Sequence, residues 1–141
     1  MAQDVIRLVY ASRAHEEITN ADIKSILKSA QAFNHSVGIG GVLCFGGGTF
    51  VQILEGPENA VIRLYAKILD DPRHSDSRLL NVSIVQSRLF KNWSMGFLEE
   101  SAEGELEIWK LAGYRQRSLS GAGVGVNIFK EIVDRLKAKK I

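Results

Sequence analysis

The spacing of hydrophobic residues changes repeatedly along this chain, between the two-residue period of a strand and the longer period of a helix. Residues 5–12 alternate as a strand does. Residues 19–34 then carry apolar side chains at i, i+3, i+4 and i+7, and Thr19 or Asn20 is a suitable cap. This helical pattern fades between Asn34 and Gly38. The chain therefore begins with a strand and an amphipathic helix.

The same change of period occurs again in the next part of the chain. Residues 41–45 and 49–55 form two β-prone runs, and Gly46, Gly47 and Gly48 between them favour a tight hairpin. The predicted second helix follows Pro57, carries an apolar stripe over residues 61–68, and ends where Asp71 and Pro72 interrupt it.

Two more strands are predicted over residues 79–87 and 89–98, and the second places Trp93, Met95 and Phe97 on one face. The order β-α-β-β-α-β-β predicts a ferredoxin-like α+β sandwich, in which two helices cover one face of a mostly antiparallel five-stranded sheet. We interpret residues 1–98 as this domain. Residues 99–141 carry two short helical patterns, which we expect to form a helical cap over the other sheet face.

Composition excludes several classes of protein. The 141 residues include 18 Lys+Arg and 16 Asp+Glu, so a net charge of +2 gives no footprint for nucleic acid. No apolar run approaches the roughly 20 residues of a membrane span, and the N-terminus does not resemble a signal peptide. The single cysteine, Cys44, excludes a disulfide framework and favours the cytoplasm.

Sequence motifs of common enzymes and metal sites are missing. The chain has no P-loop, GxSxG, HExxH or dinucleotide-binding fingerprint. His15, His35 and His74 show no metal-ligand spacing, and Cys44 lies in an apolar strand as an inert residue. We therefore expect neither a metal site nor a hydrolase or transferase.

Two polar residues lie where the strand pattern requires apolar ones. Tyr10 follows Ile6 and Leu8 on one face, and Gln52 lies between Phe50 and Leu54. A buried amide with an unpaired group costs roughly 1–3 kcal/mol, so Gln52 needs a partner. Two interpretations stay open: Tyr10 and Gln52 satisfy each other across neighbouring strands, or both contact a planar ligand between helix and sheet.

Five segments resemble BLUF domains, the flavin-using blue-light sensors, in the order and spacing of that family. The segments are LVYASR (8–13), AQAFNHSVGIGGVLCF (30–45), FVQILEG (50–56), DDPRH (70–74) and RLFKNWSMGF (88–97). The resemblance covers about residues 4–98. It implies a non-covalently bound flavin between the two helices, FAD in most members and FMN or riboflavin in others.

The resemblance also implies a role for individual residues. Tyr10 matches the donor of an electron and a proton to the excited flavin, and Gln52 matches the glutamine whose amide rearranges on illumination. Trp93 and Met95 match the positions that carry the signal out of the pocket, and which of them faces the flavin stays open. The further residues implied in flavin binding are Ser12, Ile26, Asn34, Leu43, Phe50, Lys67, Ile68, Asp71, Arg73 and His74.

Three positions depart from the family pattern. Phe33 stands where relatives often have Asn or His, so we expect one flavin contact to be either missing or replaced by packing. Lys67 stands where some relatives use Arg, whose planar fork lysine lacks. Gly40 replaces a common Thr and affects local stiffness.

The function implied is a blue-light photoreceptor of the short type, without an enzyme domain, in the cytoplasm. Its signal is expected to pass through the last strand to the C-terminal helices, and then to a separate, unidentified protein partner or through a homodimer. No nucleic acid and no membrane is expected as a partner. The alternatives are a flavin-dependent redox enzyme, for which no nicotinamide fingerprint is found, and a ferredoxin-like interaction module without a cofactor.

Overall fold

A computed structural model describes residues 3–99 of the chain. The predicted helical cap over residues 99–141 lies outside the described residues, apart from Glu99. In chain order the elements are β1 (Val5–Ala14), α1 (Asn20–Val37), β2 (Gly40–Gly46), β3 (Thr49–Pro57), α2 (Glu58–Leu69), β4 (His74–Val85) and β5 (Gly96–Glu99).

The five strands form one sheet in the order β4-β1-β3-β2-β5. Every neighbouring pair is antiparallel except β2 and β5, which are parallel. Ile23 of α1 and Val61 of α2 are buried in the same cluster as Leu8 of β1, so both helices cover one face of the sheet. The predicted α+β sandwich, with a mostly antiparallel sheet and two helices on one face, is confirmed.

Local chemistry sets the ends of α1. Thr19 Oγ1 accepts a hydrogen bond from the Asp22 amide at 3.1 Å, and the Asp22 carboxylate accepts one from the Thr19 amide at 3.0 Å. This capping box satisfies two N–H groups that a helix start leaves unpaired. Gly38, with φ of 74°, ends the helix in a left-handed conformation that glycine adopts without strain.

The β2–β3 hairpin turns through Gly47 and Gly48, with φ of 55° and 76°. Two consecutive positive φ values are the requirement of the tightest hairpin turns, which is why glycine is needed there. The hairpin predicted from the three glycines is confirmed. It places Leu43 of β2 opposite Gln52 of β3.

Each face of the sheet carries its own buried cluster. On the helix side, Tyr10, Leu43, Phe50 and Met95 belong to the cluster that packs under α1 and α2. On the opposite side, the cluster consists of Val9, Ala11, Val42, Cys44, Val51, Ile53, Phe90 and Leu98. Because strand side chains alternate between faces, neighbouring residues of β1, β2 and β3 contribute to different clusters.

The strands after α2 differ from the prediction at their starts. β4 begins at His74, five residues before the predicted start, because it pairs with β1 as far as Ala14. The predicted strand over residues 89–98 is wrong in its first part, since β5 starts only at Gly96. The backbone before Gly96 makes isolated hydrogen bonds instead of a strand ladder. The Phe90 amide donates to the Glu55 carboxylate, and the Trp93 carbonyl accepts from the Gly41 amide of β2.

Trp93, Met95 and Phe97 therefore do not share one strand face. Trp93 packs against the cluster on the side opposite the helices, whereas Met95 and Phe97 belong to the helix-side cluster.

Within residues 3–99, no helix is long and apolar enough to span a membrane.

Candidate functional site

A cavity of about 320 Å³ lies between α1, α2 and the helix-side face of the sheet. This volume is at the lower end of small-molecule sites, and the cavity combines apolar walls with a few polar groups, as such sites do. The cavity is lined by Tyr10, Ile26, Ser29, Ala30, Phe33, Asn34, Leu43, Phe50, Gln52, Leu64, Lys67, Ile68, Asp71, Arg73 and His74.

Three side chains form a hydrogen-bonded chain at the inner end of this cavity. The Tyr10 hydroxyl donates to Oε1 of Gln52, its direct neighbour across the β1–β3 ladder. Nε2 of Gln52 lies 3.4 Å from Sδ of Met95, to which it donates. Tyr10, Gln52 and Met95 are 3%, 4% and 3% exposed, so water does not compete for these contacts.

The Tyr10 phenol is held in its neutral form. Burial raises the pKa of the Tyr10 hydroxyl far above its usual value, and the neighbouring Tyr65 and Asp71 raise it further. The Tyr65 ring lies 5.2 Å from the Tyr10 ring, centroid to centroid. A phenol that keeps its proton is available as a hydrogen-bond donor over the whole physiological pH range.

Asn34 brings a polar group into the cavity from the last turn of α1. Its side chain is fully buried, and Nδ2 donates to the carbonyl of Ser94 at 3.0 Å. Its Oδ1 is buried without a hydrogen-bond partner. Leaving such an acceptor unpaired costs roughly 1–3 kcal/mol, so this atom indicates a bound donor.

Asp71 and Arg73 form an ion pair at the end of α2. Nη2 of Arg73 lies 2.6 Å from Oδ2 of Asp71, and Nε donates to both carboxylate oxygens. The hydrogen bonds from Arg73 hold the pKa of Asp71 below its usual value, and the Asp71 carboxylate raises the pKa of Arg73. Both groups stay charged at neutral pH and present a polar edge to the cavity.

His74 is oriented by contacts at both ring nitrogens. Nε2 lies 2.6 Å from the carbonyl oxygen of Ile68, and Nδ1 lies 2.8 Å from the Ser12 hydroxyl. Since a carbonyl only accepts, Nε2 carries a proton in this arrangement, and in the neutral ring Nδ1 accepts from the Ser12 hydroxyl. Ser12 thus contacts His74 and does not itself line the cavity.

Phe33 of α1 and Lys67 of α2 meet at the cavity. Nζ of Lys67 lies 5.2 Å from the centroid of the Phe33 ring, within the range of a cation–π contact. At this place the cavity wall therefore consists of an aromatic surface with a neighbouring cation.

The structure brings most of the predicted site residues together. All line the cavity except Ser12, Trp93 and Met95: Met95 contacts Gln52, and Trp93 packs on the other side of the sheet. The wall residues outside the predicted set are Ser29, Ala30, Phe33 and Leu64. Ser29 and Phe33 follow Ile26 at i+3 and i+7, so helical spacing could have identified them.

These residues fit a flavin. The orphaned Oδ1 of Asn34 requires a donor such as a ring N–H, and the apolar side chains of Ile26, Leu43 and Phe50 provide surfaces for a planar ring. Gln52 and Arg73 supply further polar groups around the cavity. No group of three or more metal-ligating side chains is found among residues 3–99.

Comparison with known proteins identifies the family. The family model for sensors of blue-light using FAD (BLUF) matches residues 5–96. The photoactivated adenylate cyclase subunit beta of Euglena longa is 36% identical over 89 residues, which cover 62% of this chain and 10% of that protein. The chain therefore spans about a tenth of the length of this curated relative.

Solved structures agree with this match. The dark-state structure of BlrB, a BLUF protein, has a TM-score of 0.77 at 27% identity, and the alignment covers 96% of this chain and 99% of that chain. Klebsiella pneumoniae BlrP1 with FMN and cyclic diGMP has a TM-score of 0.68 at 27% identity, over 94% of this chain and 34% of that chain.

The family consists of light sensors, which confirms the expectation that this domain is not itself an enzyme. FAD in the family description and FMN in BlrP1 make a flavin the class of chromophore. The match over residues 5–96 and the shared fold lead to one conclusion: the chain belongs to the BLUF family of flavin-binding blue-light sensors.

Proposed function

We propose that this chain holds its flavin in the cavity between α1 and α2 and converts absorbed blue light into new hydrogen bonds at Gln52. The observation that carries this proposal is the chain of contacts from Tyr10 through Gln52 to Met95, next to the orphaned Oδ1 of Asn34. Asn34, Gln52 and the Asp71–Arg73 pair would bind the polar parts of the ligand, and FAD is the form we expect.

When bound, the flavin absorbs blue light and supplies an electron acceptor in its excited state. Tyr10 then releases an electron and its phenolic proton, for which Oε1 of Gln52 is the acceptor already in contact. Few other proton acceptors are within reach of the Tyr10 hydroxyl, because Tyr10 is buried. Because no water competes, we expect the proton to move from Tyr10 to Gln52 along this hydrogen bond and to return by the same path.

The amide of Gln52 is suited to act as the switch. The amide has a donor at one end and an acceptor at the other. Rotation or tautomerisation therefore changes whether Tyr10 and Met95 face a donor or an acceptor. Met95 Sδ can only accept, and its bond therefore persists with only one orientation of the amide. We infer that light breaks the Gln52–Met95 contact.

The output of this switch passes through Met95 into β5, whose first residue follows directly. We propose that the signal then reaches residues 100–141, and from there a separate protein partner or a second copy of the chain. A displacement this small acts only on a surface that has two discrete arrangements. We also propose a cytoplasmic location, since a sequence with a single cysteine, Cys44, has no disulfide framework of its own.

Flavin loading and illumination test the proposed function. The purified full chain, incubated in turn with FAD, FMN and riboflavin, should bind at least one of them and turn yellow. Blue light should then shift the flavin absorption band reversibly to longer wavelength. A chain that binds none of the three forms, or bound flavin whose band does not move, would contradict the proposal. Bleaching by NADH in the dark would instead support a redox enzyme.

A further inference from the structure

A buried carboxylate lies on the back of the strand that carries Gln52. Glu55 follows Gln52 by three residues on β3, so the two side chains are on opposite faces of the sheet. The Glu55 side chain is fully buried, and its hydrogen-bond partners are different from those of the Tyr10–Gln52–Met95 chain. A buried charge is costly unless it is paired and hydrogen-bonded, so its partners are informative.

Glu55 accepts hydrogen bonds from one side chain and from two backbone amides. Nε and Nη2 of Arg7 on the neighbouring strand β1 both lie 2.9 Å from Oε2. The amide of Leu89 donates to Oε2 at 3.0 Å, and the amide of Phe90 donates to Oε1 at 2.8 Å. Charge-assisted hydrogen bonds of this kind are about twice as strong as neutral ones.

Residues 88–95, here called the connecting segment, run from this carboxylate to the candidate site. The Phe90 side chain is fully buried on the back of the sheet, and its carbonyl accepts from the amide of Trp93 at 3.0 Å. The carbonyl of Trp93 accepts in turn from Gly41 at 2.8 Å. The segment thus stays fastened to the sheet along its course.

Close packing holds the middle of the connecting segment against β2. A Cβ atom added to Gly40 would lie 2.1 Å from the carbonyl oxygen of Phe90, so only glycine permits this approach. Gly40, which departs from the family pattern, therefore has a packing role here. The segment has little freedom to shift between its two ends.

The far end of the connecting segment meets the helix that lines the cavity. Asn34 donates to the carbonyl of Ser94 at 3.0 Å, and Gln31 donates to the carbonyl of Met95 at 3.0 Å. Together with the Gln52–Met95 contact, the side chains of Gln31, Asn34 and Gln52 hold this end of the segment on the helix side of the sheet. Hydrogen bonds thus fasten the connecting segment to Glu55 behind the sheet and to Gln52 in front of it, and the covalent backbone joins the two sets of contacts.

We propose that Glu55, oriented by Arg7, is a positioning residue that fixes the connecting segment to the sheet and so holds Met95 against Gln52. This inference rests on the proposed function, because it concerns the same switch. Because Glu55 holds the segment at Leu89 and Phe90, the displacement at Met95 passes into β5; a segment free at Leu89 and Phe90 would absorb it. Glu55 thereby sets how firmly the dark arrangement is held and how fast it is restored.

Glu55→Gln tests this proposal in the full, flavin-loaded chain. The amide replaces an acceptor oxygen by a donor, so it cannot accept from Arg7, Leu89 and Phe90 at once. The control is Glu58→Gln, the same change at an exposed position of α2. Met95 is one of only two methionines, so its ¹³C-methyl NMR signal reports the contact with Gln52, and Met1 is an internal reference.

In Glu55→Gln we expect the Met95 methyl signal to shift or broaden while flavin stays bound. Hydrogen exchange at the amides of Leu89 and Phe90 should rise about tenfold or more, as the loss of charge-assisted bonds implies. The rate of return to the dark spectrum should change about threefold or more. Glu58→Gln should match the unchanged chain in all three measurements. A merely structural role would lower the unfolding midpoint without moving the Met95 signal.

A Met95 signal and a recovery rate like those of the unchanged chain would overturn the inference. If Glu55→Gln does not fold, the same three measurements are made on Arg7→Lys. This variant keeps the positive charge but loses the contact that two arginine nitrogens make with Glu55. An unchanged Met95 signal in that variant overturns the inference equally. If the unchanged chain shows no red shift, the proposed function fails, yet the methyl signal and the amide exchange still decide whether Glu55 positions Met95.

Discussion

Tyr10 and Gln52 face each other directly across the β1–β3 ladder, and the phenol of Tyr10 donates to the amide oxygen of Gln52. This relationship leaves the amide nitrogen of Gln52 directed at Met95. The hydrogen-bonded chain therefore has a definite direction, from a phenol proton to a sulfur acceptor. That direction gives the first three predictions.

Tyr10→Phe should bind flavin and lose the red shift. The variant keeps the ring but removes the hydroxyl that donates to Gln52, so no proton can move along this contact. It should also lower the free energy of unfolding by about 1–3 kcal/mol, because Oε1 of Gln52 is left without its donor. Absorption before and after blue light, and chemical denaturation, measure the two effects.

The control for Tyr10 is Tyr65→Phe. Its ring lies 5.2 Å from that of Tyr10, but its hydroxyl does not bond to Gln52. This variant should keep the red shift. Loss of the shift in both variants would mean that the aromatic cluster, and not the Tyr10 hydroxyl, carries the photochemistry.

Gln52→Leu should likewise bind flavin without a reversible red shift. Leucine has a similar volume but neither donor nor acceptor, so it cannot exchange hydrogen bonds between Tyr10 and Met95. Light-minus-dark absorption measures the outcome, and the exposed Gln86 provides the control Gln86→Leu. A normal red shift in Gln52→Leu would remove Gln52 from the mechanism.

Met95→Leu should change the rate of dark recovery about threefold or more, whereas Trp93→Phe should have a smaller effect. Met95 contacts Gln52 through its sulfur, while Trp93 packs on the other side of the sheet. Flash illumination followed by absorption spectroscopy measures both rates. The reverse ranking would show that Trp93 reaches the flavin during the photocycle.

Asn34→Leu should weaken flavin binding about tenfold or more. The variant removes Oδ1, the acceptor without a partner in the protein, and also the donor to Ser94. Loss of one well-placed hydrogen bond to a ligand costs about 1.5–3 kcal/mol where charge or burial strengthens it. Flavin fluorescence titration measures the affinity. Asn59→Leu, at an exposed position of α2, should leave the affinity unchanged.

Acid should weaken the Asp71–Arg73 pair. Arg73 lowers the pKa of Asp71 in the folded chain, so the carboxylate contributes stability above the usual aspartate pKa of about 4. That contribution is lost as the pH falls through the lowered value. It should be below about 1 kcal/mol, because the pair is partly exposed.

Unfolding measured between about pH 6 and pH 3 tests the contribution of this pair. In Arg73→Met, the part of the pH dependence that belongs to Asp71 should shrink, since the carboxylate loses the donors that lower its pKa. An identical pH dependence with and without Arg73 would show that the pair contributes nothing to stability. Other acidic groups serve as the common background in both proteins.

Much of the fold follows from local patterns. The capping box at Thr19, the left-handed Gly38 and the hairpin glycines act within a few residues, so sequence alone predicts α1 and the β2–β3 hairpin. Local patterns do not predict the conformation of the connecting segment, because it depends on Glu55, which is more than 30 residues away in the chain. Local alternation at Trp93, Met95 and Phe97 resembled a strand and was misleading there.

The sequence by itself determined the family, the class of fold and most of the polar residues that line the cavity, because each rests on residue type and spacing. Only the tertiary structure decided which groups touch. It placed Met95 and not Trp93 against Gln52, left Oδ1 of Asn34 without a partner, and gave Ser12 its place behind His74. These contacts depend on sheet order and on the path of the connecting segment, which distant hydrogen bonds determine.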